Sequence, residues 1–423
     1  MWGNIAIAFI LAFVVTFVTT PYTMKIAKKI GAIDIPKDER RAHKRSIPRF
    51  GGPAVILGFL VSTIYLLIVM SAENSINLFG PQEYWKKLLG FLAGILIIAG
   101  FCIVDDTKGI KPVIKLIGQI LGAICIVASG IRIEGITLPF LNFPEMHEIT
   151  SILLTLAWII FVTNSINLID GLDGLSSGIS VISAISLLVI FVLNGSSSIS
   201  IVLITALAGA LVGFLPFNFT PAKTFIGDTG SNFLGFSLAV ISILGSAKTY
   251  TAAVIVLPLI ALGLPIFDTA WAIIRRLIKG KSIKAVFKAD KGHLHHRLVA
   301  KGFSQKQAVL ILYGISAIFG MFAVILCDSG IWKALSFLLI MIVAVALGYK
   351  NFSVERTGNE QYECTQCKYI YNPKFGNEKA GIAKGTKFDD LPDDWVCPVC
   401  GEGKDMFQIH EWVSNFNILR KDR

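Results

Sequence analysis

The sequence predicts an all-α polytopic membrane protein with about eleven transmembrane helices, followed by a small metal-binding domain at its carboxyl end. Three observations carry that expectation. Of 423 residues, 54% are hydrophobic and only 16% charged, with a mean hydropathy of +0.68, too apolar for a water-soluble globule. The apolar residues gather into runs long enough to cross ~30 Å of hydrocarbon. Past the last run the chain turns polar and carries two Cys-x-x-Cys pairs.

The runs lie near 3–22, 53–71, 86–104, 113–130, 151–169, 175–193, 199–215, 231–247, 250–274, 306–326 and 332–349. The first lacks a basic start and a small-residue cleavage site, and ten more follow, so it reads as a retained helix and not a signal peptide. Basic residues set the orientation, because cytoplasmic loops carry the excess of Lys and Arg. Nine of them lie between Lys25 and Arg49 against three acids, and ten between Arg275 and Lys306 against Asp290 alone. With both loops inside, an odd number of crossings places the amino terminus outside and the carboxyl terminus in the cytoplasm. The net charge of +11 comes mainly from these faces. Basic loops between membrane spans are more simply an orientation signal and a phosphate site than a nucleic-acid footprint, so no nucleic-acid partner is expected.

The polar residues at the ends of the runs are the candidate site. Pro48-Arg49-Phe50-Gly51-Gly52-Pro53 closes the first basic loop; its glycines allow a tight turn and a near approach of backbone N–H groups to an anion, though such a motif is more often a plain loop-to-helix junction than a site. Asp105-Asp106 ends the third run, with Lys115 and Gln119 on the fourth. Adjacent carboxylates point apart on a helix, so one is expected to support a metal and the other to face a substrate. Asn164, Asn167 and Asp170 are three apart and share one side of a helix, followed by Gly171, Asp173 and Gly174. Carboxylates ending an apolar helix suit a watery, cation-bearing pocket better than lipid, although a polar cap is the bland alternative. Asp228 stands between Gly227 and Gly230 at the mouth of a helix, where it suits Mg²⁺, which takes few protein oxygens, or serves as a helix cap. Asp268, inside the ninth run, needs a partner or a cavity. His293, His295, His296 and Arg297 form a cluster better matched to phosphate than to zinc.

All of these residues fall on the cytoplasmic side of the expected topology, where independent helix caps would scatter over both faces. In this order the motifs resemble the polyprenyl-phosphate N-acetylhexosamine-1-phosphate transferases, the WecA and TagO branch of the MraY-like superfamily, over residues 1–350. The resemblance implies a Mg²⁺-dependent enzyme, with Mn²⁺ an alternative, that moves N-acetylhexosamine 1-phosphate, GlcNAc-1-phosphate foremost, from a UDP-sugar to undecaprenyl phosphate; the alternative within the superfamily is a UDP-N-acetylmuramoyl-pentapeptide phosphotransferase. UMP leaves, and a cell-envelope glycopolymer such as a teichoic acid or O-antigen is started. It implies catalytic roles for Asp105, Asp106, Asp170 and Asp173. Substrate would be bound by Arg49, Lys115, Asn164, Asn167, Asp268, His293, His295, His296 and Arg297. Asp228 would be the main Mg²⁺ ligand, with Asp106 and Asn167 as further candidates. The stretch Ser282 to Asp290 is a few residues longer than the family pattern. A homodimer is compatible with the resemblance.

Cys364-x-x-Cys367 and Cys397-x-x-Cys400 have the spacing of a tetrahedral four-thiolate site for iron or structural zinc. Cys102, Cys125 and Cys327 lie in or beside apolar runs and read as packing residues. Around the two pairs, residues 362–407 resemble rubredoxin, which implies a small β domain with one iron on the four cysteines and a separate redox partner. Tyr362, Tyr371, Phe388, Trp395 and Phe407 are the expected aromatic core. Lys368 takes a left-handed position usually held by glycine, at a cost of about 1 kcal/mol or more. The expected division is thus a membrane transferase domain (1–350), a linker (351–361), the rubredoxin-like domain (362–410) and a polar tail (411–423). Two rivals from other classes are an ion-coupled transporter, which would want acids near mid-membrane and internal repeats, and a membrane-anchored electron-transfer protein, which would need no aspartate motifs.

Overall fold

The computed structural model describes residues 2–35, 46–138, 141–143, 146–246, 256–280, 292–356, 361–373, 375–377, 380–388, 390–392 and 394–409. The stretch Ser282 to Asp290, Lys291 and the expected tail 411–423 lie outside the described residues. The chain forms two compact units, Met1–Leu335 and Ser336–Arg423.

The first unit is helical. Its helices are α1 (Trp2–Ile30), α2 (Gly52–Ala72), α3 (Tyr84–Lys108), α4 (Pro112–Ala128), α5 (Glu148–Ile169), α6 (Leu175–Leu193), α7 (Ser198–Asn218), α8 (Gly227–Ser246), α9 (Val256–Ala261), α10 (Gly263–Gly280), α11 (Leu294–Ala300) and α12 (Gln305–Ser329), and α13 (Ile331–Arg356) runs on into the second unit. Helices α1, α2, α3, α5, α6, α7, α8 and α12 are long and apolar enough to cross a membrane. Helix α4 and the stretch Ile331–Val343 of α13 are apolar but shorter. The chain is a multi-pass membrane protein.

The expected ninth run is not one helix. It divides at Leu262 into α9 and α10. Pro265 has no N–H to give the carbonyl four residues back, which is that of Ala261. The Ser183 hydroxyl on α6 donates to that carbonyl instead, at 2.9 Å, so the break costs no unsatisfied backbone group.

Helix α8 is the hub, packed against α2, α3, α5, α6 and α7. Every residue of it is buried except Asp228. Such an approach needs small residues: a Cβ on Gly52 at the start of α2 would lie 2.3 Å from the Gly230 nitrogen. The two-residue strands β1 (Ile33–Asp34) and β2 (Ile47–Pro48) pair antiparallel, and the Pro48 carbonyl accepts from the Phe225 amide at 2.8 Å and the Thr224 hydroxyl at 3.0 Å. That sets Arg49 beside the first turn of α8. A hairpin of β3 (Ile136–Leu138) and β4 (Leu141–Phe143) joins α4 to α5.

In the second unit β5 (Tyr362–Cys364) is the middle strand of an antiparallel sheet, with β6 (Ile370–Tyr371) on one side and β7 (Phe407–Ile409) on the other. Tyr371, Phe388, Trp395 and Phe407 are buried together with Tyr362 packed on them, and Tyr362 stacks on Phe388 at 4.0 Å. The aromatic core expected from the sequence is therefore present. Lys368 has φ of +63°, the left-handed conformation expected of it.

Candidate active site and four-cysteine metal site

Asp228 is the centre of the polar cluster in the first unit. Gly227 opens α8 at φ +74°, and a Cβ there would meet the Arg49 carbonyl at 2.7 Å and Asp106 Oδ2 at 2.8 Å, so only glycine fits. The next residue then projects its carboxylate from the positive end of the helix. Asp228 Oδ1 accepts from Lys115 Nζ at 2.7 Å and Asn167 Nδ2 at 2.8 Å. Oδ2 accepts from Arg49 Nη2 at 3.1 Å. Three distant segments of the chain thus converge on one carboxylate.

The two adjacent acids do different work. Asp106 accepts from the Asp228 amide at 2.8 Å, the Thr229 amide at 2.9 Å and the Thr229 hydroxyl at 2.6 Å. It is an N-terminal cap for α8 supplied by α3. Asp105 turns the other way, with Oδ2 at 2.6 Å from Lys115 Nζ and Oδ1 accepting from the Ile110 amide at 2.8 Å. Lys115 therefore bridges Asp105 and Asp228. Gln119 donates to Asn232 at 2.7 Å and accepts from Asn164 Nδ2 at 2.7 Å, and Asn232 donates to the Asp228 carbonyl at 2.8 Å. Asn164 holds the floor of the cluster while Asn167, one turn on, reaches Asp228 itself.

Gly51 and Gly52 behave differently from one expectation. Their N–H groups donate to the carbonyls of Phe225 at 3.0 Å and Ile226 at 2.8 Å, so they pair with protein and not with an anion. The glycines are there for close packing, Gly52 against Gly230 of α8 and Gly51 against the Phe214 ring on α7.

Beyond α5 the chain turns through Asp170 and Asp173. Asp170 accepts from the Ser176 hydroxyl at 2.6 Å. Burial pushes its carboxyl from an ordinary 3.8 up to about 7 against the pull of that hydrogen bond, and Asp228 nearby adds to the rise. Asp173 accepts from the Ala222 amide at 3.0 Å, which ties this turn to the segment leading into α8. Asp268, buried on α10, accepts from the Leu294 amide at 2.9 Å and pairs with His293 Nδ1 at 2.8 Å. That answers the need for a partner. His295 is buried, with its ring 5.9 Å from that of His293 and 4.1 Å from that of His296. Burial first, and then the neighbouring His296, lower it to about 3 and keep it neutral. His296 and Arg297 are exposed.

Sequence reasoning passed over Thr229, Ser176, Asn232 and Tyr313. Thr229 and Asn232 were within reach, since a helix beginning Gly-Asp-Thr-Gly-Ser-Asn is unusually polar for a buried span. Ser176 and Tyr313 carried no such signal.

The donors around Asp228 fit a hard divalent cation. Asp228 is the residue of α8 that is not buried, and Asn167 donates through Nδ2 to both Asp228 and Ser231, which turns its side-chain oxygen into a further oxygen donor. In the second unit Cys364, Cys367, Cys397 and Cys400 bring their sulfurs within 4.8 Å of one another. Cys364 lies 3.6 Å from Cys400, and Cys367 3.4 Å from Cys397. Those spacings suit a tetrahedral ion with metal–sulfur bonds of about 2.3 Å.

Comparison with known proteins agrees with both sites. The family described as Glycosyl transferase family 4 matches residues 88–246, and the family described as Rubredoxin matches residues 361–407. A probable undecaprenyl-phosphate N-acetylglucosaminyl 1-phosphate transferase of Bacillus subtilis is 39% identical over 368 residues, covering 85% of this chain and 94% of that protein. A decaprenyl-phosphate N-acetylglucosaminephosphotransferase of Mycobacterium tuberculosis is 32% identical over 308 residues, 68% of this chain and 74% of that one. For the second unit, a high molecular weight rubredoxin of Moorella thermoacetica is 56% identical over 48 residues, 11% of this chain and 21% of that protein. A membrane unit whose acids, amides and cations meet at one buried helix, likeness over nearly the full length of a relative, and a four-cysteine unit after it lead to one conclusion: the chain belongs to glycosyl transferase family 4 and carries a metal-binding rubredoxin domain at its carboxyl end.

Proposed function

We propose that the protein transfers N-acetylglucosamine 1-phosphate from its UDP derivative to undecaprenyl phosphate. An oxygen of the lipid phosphate forms a bond to the sugar-linked phosphorus, and the bond from that phosphorus to the bridging oxygen of UMP breaks. One anhydride replaces another, so the barrier falls chiefly by holding two anions in line and neutralising them. The observation that carries this reading is the convergence of Arg49, Lys115 and Asn167 on Asp228. Two cations beside acids and amides suit a diphosphate with its counter-ion.

In this reading Asp228, with the Asn167 side-chain oxygen, holds Mg²⁺ or Mn²⁺, which when bound would offset diphosphate charge and polarise its oxygens. Asp106 keeps α8 in place. Lys115 and Arg49 bind phosphate oxygens, and Asp105 orients or deprotonates the lipid phosphate through its link to Lys115. Asn164, Asn167, Asp170 and Asp173 shape the nucleotide-sugar pocket, and His296 and Arg297 reach the diphosphate. The transferase domain is residues 1–350, its active face and the carboxyl-terminal domain are cytoplasmic, and the four cysteines hold one iron. The fit of the sulfur spacing and the rubredoxin match support the metal assignment.

Purified full-length protein, given UDP-N-acetylglucosamine labelled in the sugar and undecaprenyl phosphate, should move label into an organic-extractable lipid with release of one UMP. Release of UDP would overturn the phosphoryl-transfer reading. Thiol reagents applied outside intact cells should miss Cys364 to Cys400, and efficient labelling would reverse the topology. A colourless protein with stoichiometric zinc from iron-replete anaerobic cells would displace iron.

A further inference from the structure

The His segment and the Asp170–Asp173 turn are locked together by contacts that do not involve Asp228 itself. Asp268 and His293 are 5% and 3% exposed, and their pairing leaves the second carboxylate oxygen on the Leu294 amide at the start of α11. Two residues on from His293, His295 is 1% exposed and packs on the turn itself: a Cβ on Gly171 would lie 2.3 Å from its Nε2. Its Nδ1 has no hydrogen-bond partner among the described residues, so the ring is held by shape and not by bonding. The following helix grips the same turn a second time. Tyr313 on α12 donates its hydroxyl to the Gly174 carbonyl, and a Cβ on Gly178 would meet its ring. Ile169, Leu175, Leu264 and Leu312 lie beneath both contacts in an apolar cluster separate from the main core, with Leu294 and Leu298 packed on it.

We propose that Asp268 is a positioning residue for this reaction: through His293 and the Leu294 amide it fixes α11 on Gly171, so that His296 and Arg297 stand over the Asp170–Asp173 turn to meet the diphosphate of the nucleotide sugar. The proposal rests on the substrate reading above. Asp268 and His293 do not touch substrate; each spends its hydrogen bonds on the other or on α11. A buried carboxylate that caps a short helix and fixes an imidazole holds two segments in one geometry, and such a pre-set contact is felt in ligand affinity.

Two independent measurements on the full-length protein in detergent test it. Hydrogen exchange followed by mass spectrometry should show residues 293–300 exchanging about tenfold faster or more in Asp268→Asn and in His293→Gln, with α8 unchanged. In transfer assays Asp268→Asn should raise KM for UDP-N-acetylglucosamine about tenfold, leave KM for the lipid phosphate unchanged and leave kcat within about twofold. Adding Arg297→Ala to Asp268→Asn should cost less than about twofold more, because both act through one contact. Unchanged exchange in both variants overturns the proposal. So does a fall in kcat at constant KM, or full multiplication with Arg297→Ala. A wild-type protein that transfers no sugar phosphate would defeat the substrate reading, while the exchange measurement still decides whether Asp268 holds α11.

Discussion

The two sites of this chain are built in opposite ways. The four-cysteine site draws its ligands from two short stretches, each a Cys-x-x-Cys whose members are three positions apart. The Asp228 site gathers Arg49 from 179 positions away, Lys115 from 113 and Asn167 from 61. A thiolate cage can be written locally because the turn geometry of each pair presents its own two ligands. A phosphoryl-transfer site needs charges of both signs around a mobile anion, and no single segment presents them without also neutralising itself. The difference teaches where each is fragile: the first to loss of a ligand, the second to any change in how helices meet α8.

The largest expected effect divides the sites cleanly. Asp228→Ala should lower kcat for sugar-phosphate transfer by roughly a thousandfold or more, as removal of metal and dipole stabilisation does, while metal bound to the four cysteines is unchanged. Cys397→Ser should do the reverse, emptying that site with transfer within about twofold. Both are read from one preparation by label transfer and metal analysis. A coupled loss in either variant would break the contrast.

Asp106→Ala sharpens the idea that helix meeting is the weak point. Removing both acceptors leaves the Asp228 and Thr229 amides and the Thr229 hydroxyl unpaired inside the protein, which should destabilise the fold by about 2–4 kcal/mol. A thermal melt in detergent would show it, and an unchanged melting temperature would remove Asp106 from its capping role.

Asp170 supplies a pH signature that belongs only to the first unit. Its folded carboxyl is raised from 3.8 to about 7, so between those values the folded state binds more protons than the unfolded one. Stability from this group is complete below pH 4 and is lost as pH rises through 7. Asp170→Asn, which cannot ionise, should gain on the wild type across that window and hold a constant advantage above it. Chemical denaturation at several pH values measures this. A flat difference would mean the carboxyl is not shifted.

The smallest effect belongs to the second unit. Lys368→Gly relieves a left-handed lysine and should stabilise the metal domain by about 1 kcal/mol. The Glu363 ion pair it removes is exposed at the lysine and worth little. Slower metal loss to a chelator would register the gain.

Much of the fold was legible because membrane solvent imposes length and apolarity on each span, so the runs beginning at 53, 151 and 175 match α2, α5 and α6 closely. Helix α10 was less so: Pro265 interrupts a run that hydropathy alone reads as continuous, and only the Ser183 hydroxyl on another helix shows how the break is satisfied. The site acids were visible from their cost in an apolar chain. Their roles were not, since nothing in adjacent Asp105 and Asp106 says which one caps amides 122 and 123 positions later and which holds Lys115.

By itself the sequence determined what depends on local chemistry. It set the apolar spans and the paired cysteines, because each follows from nearest neighbours and short spacings, and the rubredoxin resemblance implied the aromatic core and the left-handed Lys368. Only the tertiary structure decided that Gly51 and Gly52 serve packing and not anion binding, that Asp268 is answered by His293, and that Asp228 alone among the residues of α8 escapes burial. The physical reason is that hydrogen bonds close only over about 3 Å, and in these cases the approach is set by how helices far apart in the chain pack together.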